Sequence, residues 1–110
     1  MDGQTLSNKA GVTLIGNWEL PTNGTPGTIQ NIIKGDNGYL STMGKIEAWS
    51  EVKEVALDVN DVGQQWERSK PDDSGYFTLK NTKSGKFLTG HNPPNTLTIE
   101  GTTLILCVCT

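Results

Sequence analysis

The sequence has few of the residues that support catalysis or metal binding. Among 110 residues there is one histidine, His91, and there are two cysteines, Cys107 and Cys109. A Ser-His-Asp or Cys-His catalytic group would have to use His91, and nothing in the sequence places a nucleophile beside it. Asp72 and Asp73 are adjacent in a turn, where their carboxylates diverge instead of facing each other as glycoside hydrolysis requires. We therefore expect no enzymatic activity, no metal site and no cofactor.

Long apolar runs and strong charge are also absent. The longest apolar run, LILCVC at residues 104–109, has the length of a strand and falls short of the roughly 18 residues of a membrane span. The net charge is −3 and no basic stripe runs along the chain, so neither membrane insertion nor nucleic-acid binding is expected. The first residues, MDGQTLSNKAG, lack the cationic start and apolar core of a secretory signal. This predicts a cytoplasmic protein, with secretion by another route left open.

The two cysteines fit that compartment. Cys107 and Cys109 are two residues apart in a strand-like run, so their side chains point to the same face, which is a poor geometry for a disulfide between them. Buried thiols are the favoured interpretation. A redox or metal pair is the alternative.

Glycine, proline and alternating apolar residues predict an all-β protein. Thirteen glycines and five prolines separate short apolar runs with turn signals such as residues 35–38, 71–75 and 93–95. Eleven strands are predicted, at residues 4–7, 12–16, 27–32, 39–42, 45–49, 54–59, 64–69, 76–81, 86–90, 96–101 and 103–109. Residues 45–57 also fit an amphipathic helix, with Ile46, Trp49, Val52 and Val55 at helical spacing.

An internal repeat organises the chain. Residues 27–41 align with residues 76–90, pairing Ile29 with Leu79, Asn31 with Asn81, Gly38 with Gly85 and Leu40 with Leu88. A period of 48 to 50 residues indicates copies of one supersecondary unit, none of which buries its apolar face alone.

These repeats resemble a known family. The pattern begins with a strand that ends in Asn, followed by a hairpin with Gly-x-Tyr/Phe-Leu, an apolar strand and then Gln-x-Trp, here Gln64, Gln65 and Trp66. This pattern is similar to that of the ricin B-type β-trefoil lectins, and most to their short mushroom versions. The resemblance implies a single β-trefoil-like domain over residues 1–110, with a partial repeat at 1–26, a repeat at 27–74 and a truncated repeat at 75–110. It also implies that Trp66 packs between repeats.

Aligned in this way, the chain lacks the first and last strands of a trefoil. Leu6 matches Leu40 and Leu88, and the third repeat stops at Thr110 before its Gln-x-Trp. Two open sheet edges would then expose unpaired backbone groups. Three explanations for the missing strands are open: completion by self-association in a homo-oligomer, a wrong strand register at the ends, and a truncated or abnormally spliced product.

The resemblance also implies sugar sites made from an acid position, an aromatic side chain and an Asn. The best such set is Trp18 with Asn23, and with Ser7 and Asn8 at the acid position. The alternative is that Trp18 is a core residue, because it aligns with Trp66. In the second repeat Ser41 occupies the acid position, and no galactose site is expected there.

The third repeat carries a further polar pair, His91 and Asn92. These two side chains could bind a sugar hydroxyl, or they form an exposed polar turn.

Two functions follow. The first is a non-catalytic lectin that binds glycans, of the galactose or N-acetylgalactosamine type by resemblance, through shallow aromatic and Asn sites. The second is a protease inhibitor of the trefoil type, acting through an exposed loop at residues 20–27 or 90–95. An exposed Trp18 beside Asn23 favours the lectin, and a buried Trp18 favours the inhibitor or a structural role.

Overall fold

The protein is all-β, as predicted. The computed structural model describes residues 3–91 and 95–101, and describes residues 105–107 in their main chain only. In this part of the chain there are eleven strands: β1 Gln4–Asn8, β2 Thr13–Glu19, β3 Gln30–Asn31, β4 Tyr39–Ser41, β5 Glu51–Val55, β6 Trp66–Arg68, β7 Tyr76–Phe77, β8 Leu79–Asn81, β9 Phe87–His91, β10 Thr96–Glu100 and β11 Ile105–Cys107. Two short 3-10 segments, Ile32–Asn37 and Val62–Gln64, are the helical elements of the described residues. None of the helices in the described residues has the length and apolar character needed to cross a membrane.

The strands form one antiparallel sheet that curls round and closes. Its strand order is β6-β8-β9-β10-β5-β4-β3-β2-β1-β11-β7. The two ends of this order meet, because β7 and β8 are separated only by Thr78, which hydrogen-bonds through its main chain to Ser69. Among the residues whose side chains are described, eleven buried apolar residues form the core inside: Leu6, Leu14, Trp18, Ile29, Leu40, Val52, Trp66, Phe77, Leu79, Leu88 and Ile99.

One pairing pattern occurs three times around the sheet. A central residue pairs on one side with an earlier position of its own repeat and on the other with an Asn that ends a strand of another repeat. The three triplets are Gln4–Trp18–Asn31, Gly27–Trp66–Asn81 and Phe77–Ile105–Asn8. Ile105 therefore takes the position that Trp18 and Trp66 take in the other repeats. The third triplet joins the last repeat back to the first.

This closure corrects the expectation of missing end strands. β1 pairs with β11, with Leu6 opposite Cys107 and Asn8 opposite Ile105, so neither strand is absent and neither leaves an open edge there. The predicted register was wrong because Leu6 matches Ile29 and Leu79, each two residues before an Asn, and Leu14 is the residue that matches Leu40. Self-association remains a prediction, but the sheet does not require it. Cys109 lies outside the described residues.

The first repeat instead lacks a hairpin. The Trp66 indole Nε1 donates to the carbonyl oxygen of Leu40, 26 residues earlier, at 3.1 Å. The Trp18 Nε1 donates to the carbonyl oxygen of Leu14, only four residues earlier, at 2.9 Å. In the first repeat, strand β2 thus runs directly from Leu14 to Trp18. In the second repeat, the equivalent residues Leu40 and Trp66 are connected through β5 and two loops. A groove of about 220 Å³, lined by the exposed Ile15, β5 and the start of β10, lies at this place.

The Gln-x-Trp segment is structural. Trp66 is fully buried, as predicted. Gln64 is also buried, donates from Nε2 to the Ala56 carbonyl at 3.0 Å and accepts at Oε1 from the Asp58 main-chain N–H at 3.1 Å. Its side chain therefore holds the loop that follows β5.

Residues 45–49 form neither the predicted strand nor the alternative helix. They lie in a turn-rich loop between β4 and β5, and the strand begins at Glu51. Of the apolar residues at helical spacing, Val52 is buried, whereas Ile46 and Trp49 are exposed. The spacing did not reflect one buried face, because Ile46 and Trp49 lie in an irregular loop and Val52 lies in a strand.

Candidate functional site

The most exposed tryptophan of the described chain lies in this loop. The Trp49 side chain is 68% exposed, whereas Trp18 and Trp66 are buried. Trp49 also has a φ of 74°, in the left-handed region. Bulky residues rarely adopt this conformation, and the strain costs on the order of 1–3 kcal/mol. An exposed aromatic side chain on a main chain in a strained conformation is a feature of binding sites, which makes Trp49 a candidate binding residue.

Main-chain hydrogen bonds hold Trp49 in this conformation. Its N–H donates to the carbonyl of Ile99 at 2.7 Å, and the N–H of Ile99 donates to the carbonyl of Ser50 at 3.1 Å. Ile99 is fully buried in β10, so the loop is attached to a core strand of the third repeat. The indole ring is therefore presented on a rigid support.

The Trp49 ring stacks on the predicted site residue His91. The ring centroids are 5.4 Å apart and the planes differ by 26°. The His91 Nε2 lies 2.8 Å from Thr98 Oγ1 and 3.3 Å from Glu100 Oε2. We call these four residues, Trp49, His91, Thr98 and Glu100, the Trp49 cluster.

Strand register explains how the cluster assembles. His91 pairs with Thr96 across the β9–β10 hairpin, and Thr98 and Glu100 follow at two-residue steps on the same face. Glu100 and His91 are partly exposed, with side chains 22% and 30% accessible. Both contacts of His91 use Nε2, so Nδ1 is not used by a described residue. The cluster offers an aromatic face, an imidazole nitrogen and a carboxylate within one continuous surface.

The structure does not support Trp18 as an exposed site residue. Trp18 is 1% exposed and its indole N–H donates to the Leu14 carbonyl, so the predicted sugar site at Trp18 and Asn23 is wrong and the alternative, that Trp18 is a core residue, is confirmed. The reason is that β2 pairs with β3 at Trp18 and Asn31, which directs the ring into the core. Asn23 lies instead in an exposed turn beside β6. A buried Trp18 by itself favours the inhibitor or a structural role, so sugar binding would depend on another site.

The other predicted residues divide between structural and candidate roles. Asn8 is buried and donates to Thr89 Oγ1 at 3.1 Å and to the Gly90 carbonyl at 2.9 Å, so it joins β1 to β9 as a brace. Ser7 is half-buried and pairs with Leu106. His91 is in the Trp49 cluster, and Asn92 lies outside the described residues.

Sequence reasoning missed Trp49 because it placed Trp49 in a strand at residues 45–49, with a helix over residues 45–57 as the alternative. Gly44 was the available signal, since glycine favours turns with positive φ, and Met43 and Gly44 both have positive φ in the structure.

Comparison with models of known protein families and with curated proteins finds no match for this chain. Function is therefore argued from the geometry. In the described residues, no three His, Cys, Asp or Glu side chains group closely enough to hold a metal ion.

Proposed function

We propose that this protein is a carbohydrate-binding β-trefoil, a lectin, and that the Trp49 cluster is its sugar site. The observation that carries the proposal is the exposed, strained Trp49 stacked on His91. Strained residues are retained where the surrounding structure enforces them and function uses them.

The trefoil assignment is supported by the threefold pairing pattern. Each of the three repeats has a central residue that pairs within its own repeat and with an Asn of another repeat. Three copies of one supersecondary unit arranged around an axis would pair in this way. The resemblance of the Gln-x-Trp segment to the ricin B-type lectins agrees with this arrangement.

The chemistry of the Trp49 cluster suits a sugar. An aromatic face packs on the apolar C–H face of a pyranose ring, while nearby polar groups accept or donate hydrogen bonds to its hydroxyls. Glu100 supplies an acceptor and His91 supplies a ring nitrogen. Few contacts to a shallow surface predict weak binding, with a dissociation constant of about 1 mM per site.

Replacing Trp49 tests the proposal. The Trp49→Gly variant removes the aromatic face. Glycine relieves the strain of the positive φ but makes the unfolded chain more flexible, and these opposing effects are expected to leave the stability within about 1 kcal/mol of the wild type. Its sugar affinity is expected to fall at least about tenfold, equivalent to ~1.4 kcal/mol. A glycan array first identifies the sugars that the wild-type protein binds. Affinity is then measured by NMR titration with those sugars and with galactose and N-acetylgalactosamine.

Ile46→Ala is the matched control, because Ile46 is an exposed apolar residue of the same loop. It is expected to bind like the wild type. A wild-type protein that binds no glycan on the array, or a Trp49→Gly variant with unchanged affinity, contradicts the proposal.

The braced loop at residues 20–27 favours a second candidate function, protease inhibition. Residues 22–26 are exposed, while the Gly24 N–H donates to the Arg68 carbonyl at 3.1 Å and the Gly27 N–H donates to the Trp66 carbonyl at 2.9 Å. A loop fixed at two points loses little entropy on binding, as an inhibitory loop requires. Inhibition assays against serine and cysteine proteases test this candidate, and lack of inhibition by micromolar protein rejects it. Residues 92–94 of the other predicted loop lie outside the described residues.

A further inference from the structure

Strand β2 has an open edge over residues 13–15. On one side this segment pairs with β1, with Leu14 opposite Leu6. On the other side β2 pairs with β3 at Trp18 and Glu19, so within the described chain no strand lies beside residues 13–15 there. An unpaired edge of this kind is a place where another strand can add to the sheet.

Main-chain groups point toward this open edge. The Asn8 N–H donates to the Val12 carbonyl at 2.9 Å, so the main chain of Val12 faces β1, as does that of Leu14 two residues later. The N–H and carbonyl groups of Thr13 and Ile15 point the opposite way, because the direction alternates along an antiparallel strand. These groups are the ones that an added strand would bond.

The open edge faces the groove left by the missing hairpin. This groove, of about 220 Å³, is lined by Ile15, by residues 51–54 and by residues 95–97. The Ile15 side chain is 59% exposed. Residues 11–18 contain no charged residue and no proline, which are the residues that commonly protect a strand edge from pairing. The edge is therefore both accessible and unprotected.

The other two repeats show which kind of segment belongs at this edge. Leu14 is equivalent to Leu40 in β4 and to Leu88 in β9. Strand β4 pairs with β5, and β9 pairs with β10, so in both of these repeats an antiparallel strand of the same chain lies at this position. In the part of the chain that the structure describes, the first repeat supplies no such strand.

The side chains of β5 and β10 indicate the chemistry of the missing strand. Val52 and Leu97 occupy equivalent positions, lie opposite each other and are packed in or against the core. An apolar residue at the equivalent position of an added strand would be continuous with this contact. The groove is lined by Glu51 and Glu54 against a single cation, Lys53, so a neutral or basic segment fits it better than an acidic one.

We propose that the open edge of β2 binds an extended segment of a partner protein, which adds to the sheet as an antiparallel strand at the place of the missing hairpin. The segment is neutral or basic and carries an apolar residue at the position equivalent to Val52 and Leu97. Main-chain hydrogen bonds to Thr13 and Ile15 supply the affinity, and the groove beside Ile15 selects the apolar side chain. This proposal does not depend on sugar binding at Trp49.

NMR titration of the whole protein with a peptide of residues 95–101 carrying Glu100→Lys tests the proposal. The peptide is the protein's own β10 sequence, with its ends acetylated and amidated and its one negative charge replaced. We expect the amide signals of Thr13 and Ile15 to shift and their hydrogen exchange to slow severalfold. The peptide without the substitution is expected to bind more weakly, because the groove lining already carries more negative than positive charge.

N-methylated peptides test whether the main chain of the peptide pairs with β2. In the protein the Ile99 N–H donates to the Ser50 carbonyl, away from β9, so the N–H groups at positions 98 and 100 point toward β9. A peptide methylated at the nitrogens of positions 98 and 100 is expected to bind at least about tenfold more weakly. Methylation at positions 97 and 99 is the matched control and is expected to change the affinity by less than about threefold. Equal losses for the two peptides would contradict strand pairing with β2.

Two variants of the protein locate the site. Ile15→Glu is expected to lower the affinity for the peptide at least about tenfold, because it removes an apolar contact and places a charge on the edge. Ile33→Glu is the matched control, since Ile33 is also an exposed apolar residue and does not line the groove. Both side chains are exposed, so both variants are expected to fold, and Ile33→Glu is expected to bind like the wild type.

Several results would overturn the proposal. No shift at Thr13 and Ile15 with millimolar peptide, or an unchanged affinity in Ile15→Glu, excludes the site. Shifts confined to β9 and β5 would mean that the peptide replaces β10 instead of adding beside β2. A solution mass of two chains without peptide, reduced to one chain by Ile15→Glu, would assign the edge to a second copy of this protein.

Discussion

Replacing Trp66 with alanine is expected to destabilise the protein by about 3–5 kcal/mol, and replacing Trp18 is expected to cost a similar amount. Both rings are buried, and both indole N–H groups donate to the carbonyl of a core leucine. Alanine leaves a cavity that the closed sheet fills only in part. A domain of this size has a total stability of about 5–15 kcal/mol, so either variant loses a large share of it.

Urea unfolding followed by far-UV circular dichroism measures the loss, because tryptophan fluorescence changes with the substitution itself. Trp49→Ala is the matched control and is expected to stay within about 1 kcal/mol of the wild type, since its ring is exposed. If Trp18→Ala cost less than about 1 kcal/mol, Trp18 would not be a core residue equivalent to Trp66. Trp66→Phe and Trp18→Phe extend the test if the alanine variants do not fold.

Replacing Gly38 with alanine is expected to destabilise the protein by about 3 kcal/mol. A Cβ at Gly38 would overlap the main-chain oxygen of Asn31 and lie 2.9 Å from the Cβ of Lys34. Because the obstacle is backbone, no side-chain movement relieves it. The Asn31 N–H also donates to the Gly38 carbonyl at 2.7 Å, so a shift would disturb the turn that ends β3.

Gly85 is the matched control for Gly38, since it lies in the corresponding hairpin. The structure places Lys86, one residue later, at the position of Gly38, because the Asn81 N–H donates to the Lys86 carbonyl as the Asn31 N–H donates to the Gly38 carbonyl. Gly85 has a φ of 72° and open space around its Cα, so Gly85→Ala carries only the strain of the left-handed conformation, about 1 kcal/mol. Gly85→Asn is expected to recover part of that loss, whereas Gly38→Asn is expected to be as destabilising as Gly38→Ala. Equal losses for the two alanine variants in urea unfolding would contradict this distinction.

The repeat alignment predicted a large part of the fold correctly. Ile29 and Leu79, and likewise Leu40 and Leu88, are fully buried, and Asn31 and Asn81 are buried at the ends of matching strands. These positions follow from local sequence, because each combines a turn signal with an apolar residue at a fixed distance. The first repeat was misaligned because it lacks a hairpin. The spacing between its equivalent residues along the sequence therefore differs from the spacing in the other two repeats.

The binding residues were harder to predict. Trp18 and Trp49 have similar local sequences, each with apolar residues nearby, yet one is in the core and the other is on the surface. What separates them is pairing with distant strands: Trp18 lies opposite Asn31 in β3, and the Trp49 main chain is bonded to Ile99 in β10. No local pattern contains this information.

The sequence by itself determined the all-β class, the repeat, the burial of Trp66 and the scarcity of catalytic groups, since these depend on composition and on spacing along the chain. Only the tertiary structure decided that β1 and β11 close the sheet, that Trp18 is a core residue, and that Trp49 joins His91. Each of these depends on residues far apart in sequence. Their contacts are set by strand register and loop direction, which hydrogen bonds across the whole sheet fix together.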